Sequence, residues 1–260
     1  MQRSVPYTLA FAAAVCVVCS LFVSSAAVLL KERQQANFAL DRQRKVLTVC
    51  GLMEEGERLS ARDTRARFQQ YVTPHFVDLR TGEYVEDPAL NADTYDQRRA
   101  ARDPDSSRPA PENPARVTRI PHYALIYHVM QDGRVDQIVL PIEGKGLWST
   151  LYGFLALEPD AVTVRGLIFY EHGETPGLGG EVENPKWRAA WVGRKAYDES
   201  GTPQITVIKG KAGDADEDPY HVDGLSGATI TSRSITHMIR FWLGEHGFGP
   251  YLKRFREGSA

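Results

Sequence analysis

The chain has 260 residues, 42% of them apolar, and a formal net charge of -2. That is enough apolar material for a sizeable core, and 31 Lys and Arg against 33 Asp and Glu, with no basic run, argue against a nucleic-acid partner. The three cysteines, Cys16, Cys19 and Cys50, leave no disulfide framework. Cys16 and Cys19 have redox-motif spacing, but they sit among Val, Ala and Phe with nothing to support a thiolate.

After a short tail, residues 1–6, no charge appears between Arg3 and Lys31. Residues 7–30 are predicted to form a transmembrane helix, because at about 1.5 Å per residue they cross a hydrocarbon core of roughly 30 Å. A cleaved signal peptide is the rival, with Ser24 to Ala27 near the cut. However, the run exceeds an apolar core of about 7–15 residues and continues through Val28, Leu29 and Leu30, which favours an uncleaved anchor. Lys31, Arg33, Arg42, Arg44 and Lys45 outnumber Arg3, so local charge alone would hold the large domain in the cytoplasm.

Helical spacing continues through a predicted stalk, residues 31–52, and the soluble domain is taken as 53–260. Residues 54–72 read as an amphipathic helix burying Leu59, Phe68, Tyr71 and Val72. Phe76 to Val85, turning at Arg80-Thr81-Gly82-Glu83, reads as a hairpin. Residues 87–119, loaded with Asp, Arg, Pro and Ser, read as a polar surface excursion.

Two strands, 122–129 and 135–142, flank Gln131-Asp132-Gly133-Arg134, a strong hairpin signal. His122 and His128 alternate with apolar residues there and suit cross-strand polar partners better than metal ligands. The glycine-rich loop Gly144-Lys145-Gly146-Leu147-Trp148 follows, with Trp148 placed either to fill core or to stack on a flat ligand. Tyr152, Phe154 and Leu155 lead to a buried strand, 162–170.

That strand ends in His172-Gly173-Glu174-Thr175-Pro176-Gly177-Leu178-Gly179-Gly180-Glu181. A dinucleotide fingerprint fails here for want of the following helix and downstream acid. His172 and Glu174 are too few for zinc. The loop is either a ligand contact or a conformationally demanding turn.

Pro185 opens a short amphipathic helix with Trp187, Ala190, Trp191 and Arg194. Gln204 to Lys209 reads as a strand that ends on Lys209. Asp214 to Asp218 reads as a solvated acidic turn, lacking the pattern of a calcium loop.

Next comes Asp223-Gly224-Leu225-Ser226-Gly227-Ala228-Thr229-Ile230-Thr231-Ser232, a hydroxyl-rich turn before a helix. Ile235, Met238, Ile239 and Trp242 form its buried stripe, and Gly244 ends it. Gly227 permits positive φ or a close approach. Ser226, Thr229 and Thr231 are each able to cap the first turn, and the free amides of such a turn favour a phosphate. By spacing alone this is an ordinary capped helix. Phe248 to Leu252 reads as a closing segment packed on the core. The fold class is therefore α+β: one transmembrane helix, then one domain of mainly antiparallel sheet with packed helices.

Asp-x-x-Ser-Gly-Ala-Thr resembles the motif at which a flavin transferase joins FMN through its phosphate to the final hydroxyl, here Thr229. With the Glu174 to Gly179 loop, the Pro141 to Ser149 run and the N-terminal span, nearly the whole chain resembles the NqrC family, the covalent-FMN subunits of the sodium-translocating NADH:quinone reductases. The related G subunit of the Rnf complex is the nearest competitor.

The resemblance implies covalent FMN on Thr229, held among Asp223, Ser226, Gly227, Ala228 and Thr231. It further implies Glu174 and Thr175 at the ring's polar edge, Leu178 on its face, and Trp148, Gly179 and Lys209 close by. The phosphate link leaves the ring electronically unmodified, so its surroundings must set the potential. Five partner subunits of types A, B, D, E and F, a maturing transferase and membrane lipid are implied. The location implied is the bacterial inner membrane with the soluble domain on the periplasmic side, against the local charge reading.

In that setting the chain would relay single electrons from an iron–sulfur centre to the next covalent FMN and on towards quinone, coupled to sodium export. Nothing in it reads as an NADH site, a quinone site or a sodium pathway, since the span holds no ionisable residue other than cysteine and Tyr7. A non-redox anchored scaffold is the alternative from a different class.

Overall fold

The computed structural model describes residues 4–54 and 56–258. Residues 1–3 of the expected tail, and Glu55 of the expected 54–72 helix, lie outside them. One continuous helix, α1 (Val5–Val49), starts inside the expected tail, and its first 27 residues, Val5–Lys31, are long and apolar enough to cross a membrane. The compact folded unit begins at Gln43. Val46, Leu47, Val49, Cys50 and Met53 are all buried, so residues expected in a stalk are part of the domain core.

Ser60 caps α2 (Ala61–Tyr71) by accepting from the Asp63 N–H at 3.1 Å. The expected helix is thus seven residues shorter at its start, and Val72 opens β1 (Val72–Asp78) instead of closing the helix. Phe76 and Val77 do turn back through Gly82 to Tyr84 and Val85. The principal partner of β1, however, is a strand some fifty residues on.

The stretch expected to run over the surface is pinned down. Within it lie α3 (Gln97–Arg102) and β2 (Ser107–Pro109), the latter paired with β3 (Arg119–Pro121). Ala101, Ala115 and Val117 are buried, and Leu90, Ala92 and Tyr95 pack on the core. The few apolar residues of this segment need not make a core of their own, because they join one built elsewhere.

The centre of the domain is an antiparallel sheet in the order β1, β4 (Tyr123–Gln131), β5 (Arg134–Lys145), β6 (Thr150–Leu157) and β7 (Val164–Glu171). The β4–β5 hairpin turns on Asp132 and Gly133, both with positive φ of 50° and 76°, as a two-residue turn matched to strand twist requires. Both faces are covered. Leu125, Tyr127, Val139, Phe154 and Ile168 meet Val46, Leu47 and Phe68 on one side. On the other, Ile126, Leu140, Leu155 and Leu167 meet the helices that follow. Double coverage accounts for strand runs that are apolar without strict alternation.

A single 3-10 turn, Gly179–Glu183, precedes α4 (Pro185–Ala189), which is shorter than the expected helix. The expected 204–209 strand contracts to β8 (Thr206–Val207), paired in parallel with β9 (His221–Val222). Arg194, expected within that helix, lies beyond its end, is buried and donates to the Gly213 carbonyl at 2.7 Å and the Asp218 carbonyl at 2.5 Å, fixing the acidic turn.

The last two helices, α5 (Thr229–Leu243) and α6 (Gly249–Arg256), close the second core with Ile235, Met238, Ile239, Trp242, Phe248, Tyr251 and Leu252 all fully buried. Trp242 Nε1 donates to the Glu143 carbonyl at 2.6 Å, which locks α5 to β5. His128 meets Tyr251, with Nε2 2.6 Å from its hydroxyl, and packs on the His75 ring on the neighbouring strand. His122 is exposed.

Candidate functional site

The N-terminus of α5, the 146–149 loop and the 172–181 loop meet around one carboxylate. Glu174 is only 5% exposed. Its Oε1 accepts from the Leu147 N–H at 3.0 Å and the Trp148 N–H at 3.1 Å, while its Oε2 accepts from the Thr231 hydroxyl at 2.5 Å. Three donors hold this carboxylate in place and satisfy its buried charge. Ser149 adds a second tie, its hydroxyl accepting from the Gly173 N–H at 2.6 Å.

Gly179 is required by close approach. A Cβ there would stand 2.6 Å from Glu174 Oε2 and 2.7 Å from Thr231 Oγ1. Gly227 is required by conformation, with φ of +70°, and a Cβ on it would lie 2.8 Å from Leu178 Cδ2. Leu178 therefore lies over the turn that leads to Thr229.

None of the three hydroxyl residues caps α5. Ala228 occupies the N-cap position with φ -124° and ψ 50°, and no side chain among the described residues bonds there. Thr231, expected as a cap, is 1% exposed and gives its hydroxyl to Glu174 instead. Ser226 and Thr229 are exposed. Ser232, for which the sequence suggests no role, accepts from the Leu225 N–H at 3.1 Å and shapes the turn from inside. Among the described residues no side chain caps the amides that open α5, which stand at the positive end of its dipole.

The segments tied together through Glu174 at the start of α5 carry an apolar ledge. Trp148 is 67% exposed, Ile230 54%, and Leu147 and Leu178 44% each. Of the two readings of Trp148, core filler is therefore excluded. Leu147 and Ile230 are not among the expected site residues, yet Ile230 has a signal: it falls off the buried stripe of α5 that Ile235, Met238 and Trp242 define. Four exposed apolar side chains on the segments that meet at Glu174 are what a flat apolar ligand or a partner would cover.

The remaining expected site residues serve the turn. Asp223 Oδ1 accepts from the Ala212 N–H at 2.8 Å, and its carbonyl accepts from Trp187 Nε1 at 2.8 Å. The chain at 208–210 runs against Gly224, whose N–H donates to the Gly210 carbonyl at 2.8 Å, so Lys209 is exposed beside the turn. Thr175 is exposed, and its carbonyl accepts from the Leu178 and Gly180 amides at 3.1 and 2.9 Å, closing the loop on itself. Glu174, expected at a ligand's polar edge, has both oxygens engaged by the protein. No group of three or more potential metal ligands occurs among the described residues.

The FMN-binding domain family matches residues 146–244, which contain the whole ledge. The chain is 46% identical to the C subunit of the Na(+)-translocating NADH-quinone reductase of Pseudomonas aeruginosa, covering 100% of this chain and 99% of that one. It is 45% identical to the corresponding protein of Vibrio vulnificus, over 98% and 97%. Among solved structures, NqrC of Shewanella oneidensis superposes with a TM-score of 0.77 at 31% identity, over 86% of this chain and 99% of that chain. The C subunit from Parabacteroides distasonis gives 0.65 at 25% identity, over 86% and 96%.

Proposed function

Because the chain belongs to the NqrC family of the Na(+)-translocating NADH-quinone reductases, we propose that it carries FMN on Thr229 and relays electrons within that complex. The observation that carries this reading is an exposed threonine at the uncapped start of α5, set beside the ledge of Leu147, Trp148, Leu178 and Ile230.

The residues suit the group. A phosphate esterified to the Thr229 hydroxyl lies where uncapped amides and the helix dipole favour negative charge. Lys209, exposed on the neighbouring segment, adds a cation nearby. The indole of Trp148 and the side chains of Leu147, Leu178 and Ile230 offer flat and apolar surface to the ring faces. Glu174 acts at one remove: by holding the Leu147 and Trp148 amides and the Thr231 hydroxyl, it fixes the ledge relative to the attachment point. Bound FMN supplies one-electron transfer, which none of the side chains here provides.

An exposed ring serves exchange with partners. Electrons would come from an iron–sulfur centre on another subunit and leave to the next covalent FMN, and sodium export would be coupled elsewhere in the complex. The soluble domain would face the periplasm, where the flavin transferase loads it. Asp223, which orders the 212–223 segment, would present the turn to that enzyme.

Co-expression with a flavin transferase and mass spectrometry of the tryptic peptide test the reading. Thr229 is expected to carry the added FMN phosphoryl mass, and the chain to fluoresce on a denaturing gel. Thr229→Ala abolishes both signals, and Asp223→Ala lowers the flavin content. An unmodified wild-type peptide made alongside an active transferase would leave only an anchored scaffold.

A further inference from the structure

A second concavity, of about 210 Å³, opens beside the end of β5. Arg98 and Arg102 of α3, Arg116 and Arg119 of the following segment, and Lys145 of β5 line it, with one acid, Glu143. Neither the electron-relay role nor the FMN site uses any of these side chains.

Two of the cations are already committed. The Arg98 guanidinium lies 3.4 Å from the Tyr152 ring centroid and donates to Glu171 at 2.7 Å. Arg119 donates to the Ser107 hydroxyl and carbonyl at 2.8 and 2.9 Å. Arg102, Arg116, Lys145 and Glu143, by contrast, have no side-chain hydrogen bond or ion pair among the described residues.

Arg116 is moreover held in an unfavourable conformation, with φ of 55°. The Asn113 side chain fixes that turn by bonding both the Val117 N–H and carbonyl, at 3.1 and 2.8 Å, while Ala115 and Val117 are buried on either side. A left-handed arginine is sterically unfavourable and persists only where its surroundings over-determine it. Uncommitted like charges around one hollow add nothing to folding stability, but they suit an anion, which arginine takes in bidentate fashion. Glu143 is the exception in charge. Burial, its largest influence, pushes its carboxyl above the usual carboxylate range despite Arg98 and Arg102, and on the wall of the hollow it is placed to hydrogen-bond a ligand's hydroxyl.

We propose that this hollow binds a phosphate ester that also bears a hydroxyl, the phosphate held by Arg102, Arg116 and Lys145 and the hydroxyl by Glu143. Glycerol phosphate has this chemistry, whether as a soluble metabolite or as the headgroup of a phospholipid. The site stands apart from the flavin reading and survives its failure.

The test is calorimetric titration of glycerol 3-phosphate into the full chain in phosphatidylcholine nanodiscs at low salt. Saturable one-site binding is expected, weakened about tenfold or more in Arg102→Ala/Arg116→Ala. The control Arg62→Ala/Arg65→Ala removes the same charge from the exposed face of α2 and should leave affinity within about twofold. Inorganic phosphate should bind more weakly than glycerol 3-phosphate, and Glu143→Met should erase that preference while keeping phosphate affinity. Repeating the titration in phosphatidylglycerol discs separates the sources: apparent affinity falls if lipid headgroups occupy the hollow and is unchanged if the ligand is soluble. Absence of saturable binding, equal loss in the control, or equal affinity for the two probes in wild type would overturn the proposal.

Discussion

At the scale of single residues, burial decides roles that residue type leaves open. His128 resembles any polar partner on a strand, yet it is buried against Tyr251, Tyr84 and His75. Burial, helped by the neighbouring His75, depresses its pKa from 6.5 to about 4. His75 is lowered by burial as well. Between those limits the unfolded chain takes up a proton that the folded chain refuses. The stabilisation is therefore complete above about pH 6.5 and is lost as pH falls towards 4, by on the order of 2–3 kcal/mol. Urea midpoints measured from pH 7 to pH 4.5 should fall accordingly. His128→Gln, which still reaches the Tyr251 hydroxyl, should flatten the slope, and an unchanged slope would remove His128 as its source.

At the scale of elements, the site is a joint between two loops and a helix end, and the joint is what the sequence conceals. Thr229 is legible because its motif is local, and the stripe of α5 is legible because helical periodicity is local too. Glu174 is visible as a polar residue in a glycine-rich loop, but that it aims inwards at Thr231 and two amides, not outwards at a ligand, depends on chain 26 to 57 residues away. The same long-range packing makes residues 87–119 an ordered flap where an excursion is expected, and leaves only two residues of the 204–209 strand paired. Gly179→Ala tests the joint directly. Its new methyl would stand 2.6 Å from Glu174 Oε2 and 2.7 Å from Thr231 Oγ1, so the bond between them must stretch. Overpacking of this kind costs typically about 1–3 kcal/mol, and a lower thermal midpoint together with reduced flavin loading is the expected result. Gly177→Ala, with φ of +76° but no atom within 4 Å of a new Cβ, should lower the midpoint by conformational strain alone and leave loading near wild type.

At the scale of the whole molecule, the sheet needs both of its faces covered, and the cover on one face comes from the end of the N-terminal helix. The apolar run and the helical spacing that follows it suggest an anchor and a stalk, with the domain starting at 53. That reading misses the junction because helical periodicity cannot tell a solvated stalk from a helix seated on a sheet. Val46, Leu47, Val49, Cys50 and Met53 are buried with Phe68, Val139 and Phe154, and burial pushes the Cys50 thiol well above its ordinary value. Gln137 Nε2 donates to the Cys50 carbonyl at 3.1 Å, and Arg67 donates to the Leu52 carbonyl at 3.0 Å. Each large buried side chain contributes roughly 1.5–3 kcal/mol, so these few residues together rival the entire stability of a typical domain, about 5–15 kcal/mol. A soluble fragment starting at Gln43 should therefore unfold cooperatively in urea, whereas one starting at Glu54 should lose that transition and bind a hydrophobic dye in buffer. Equal stability of the two fragments would mean that the core on this face holds without its helical cover and that the boundary at 53 is the better one.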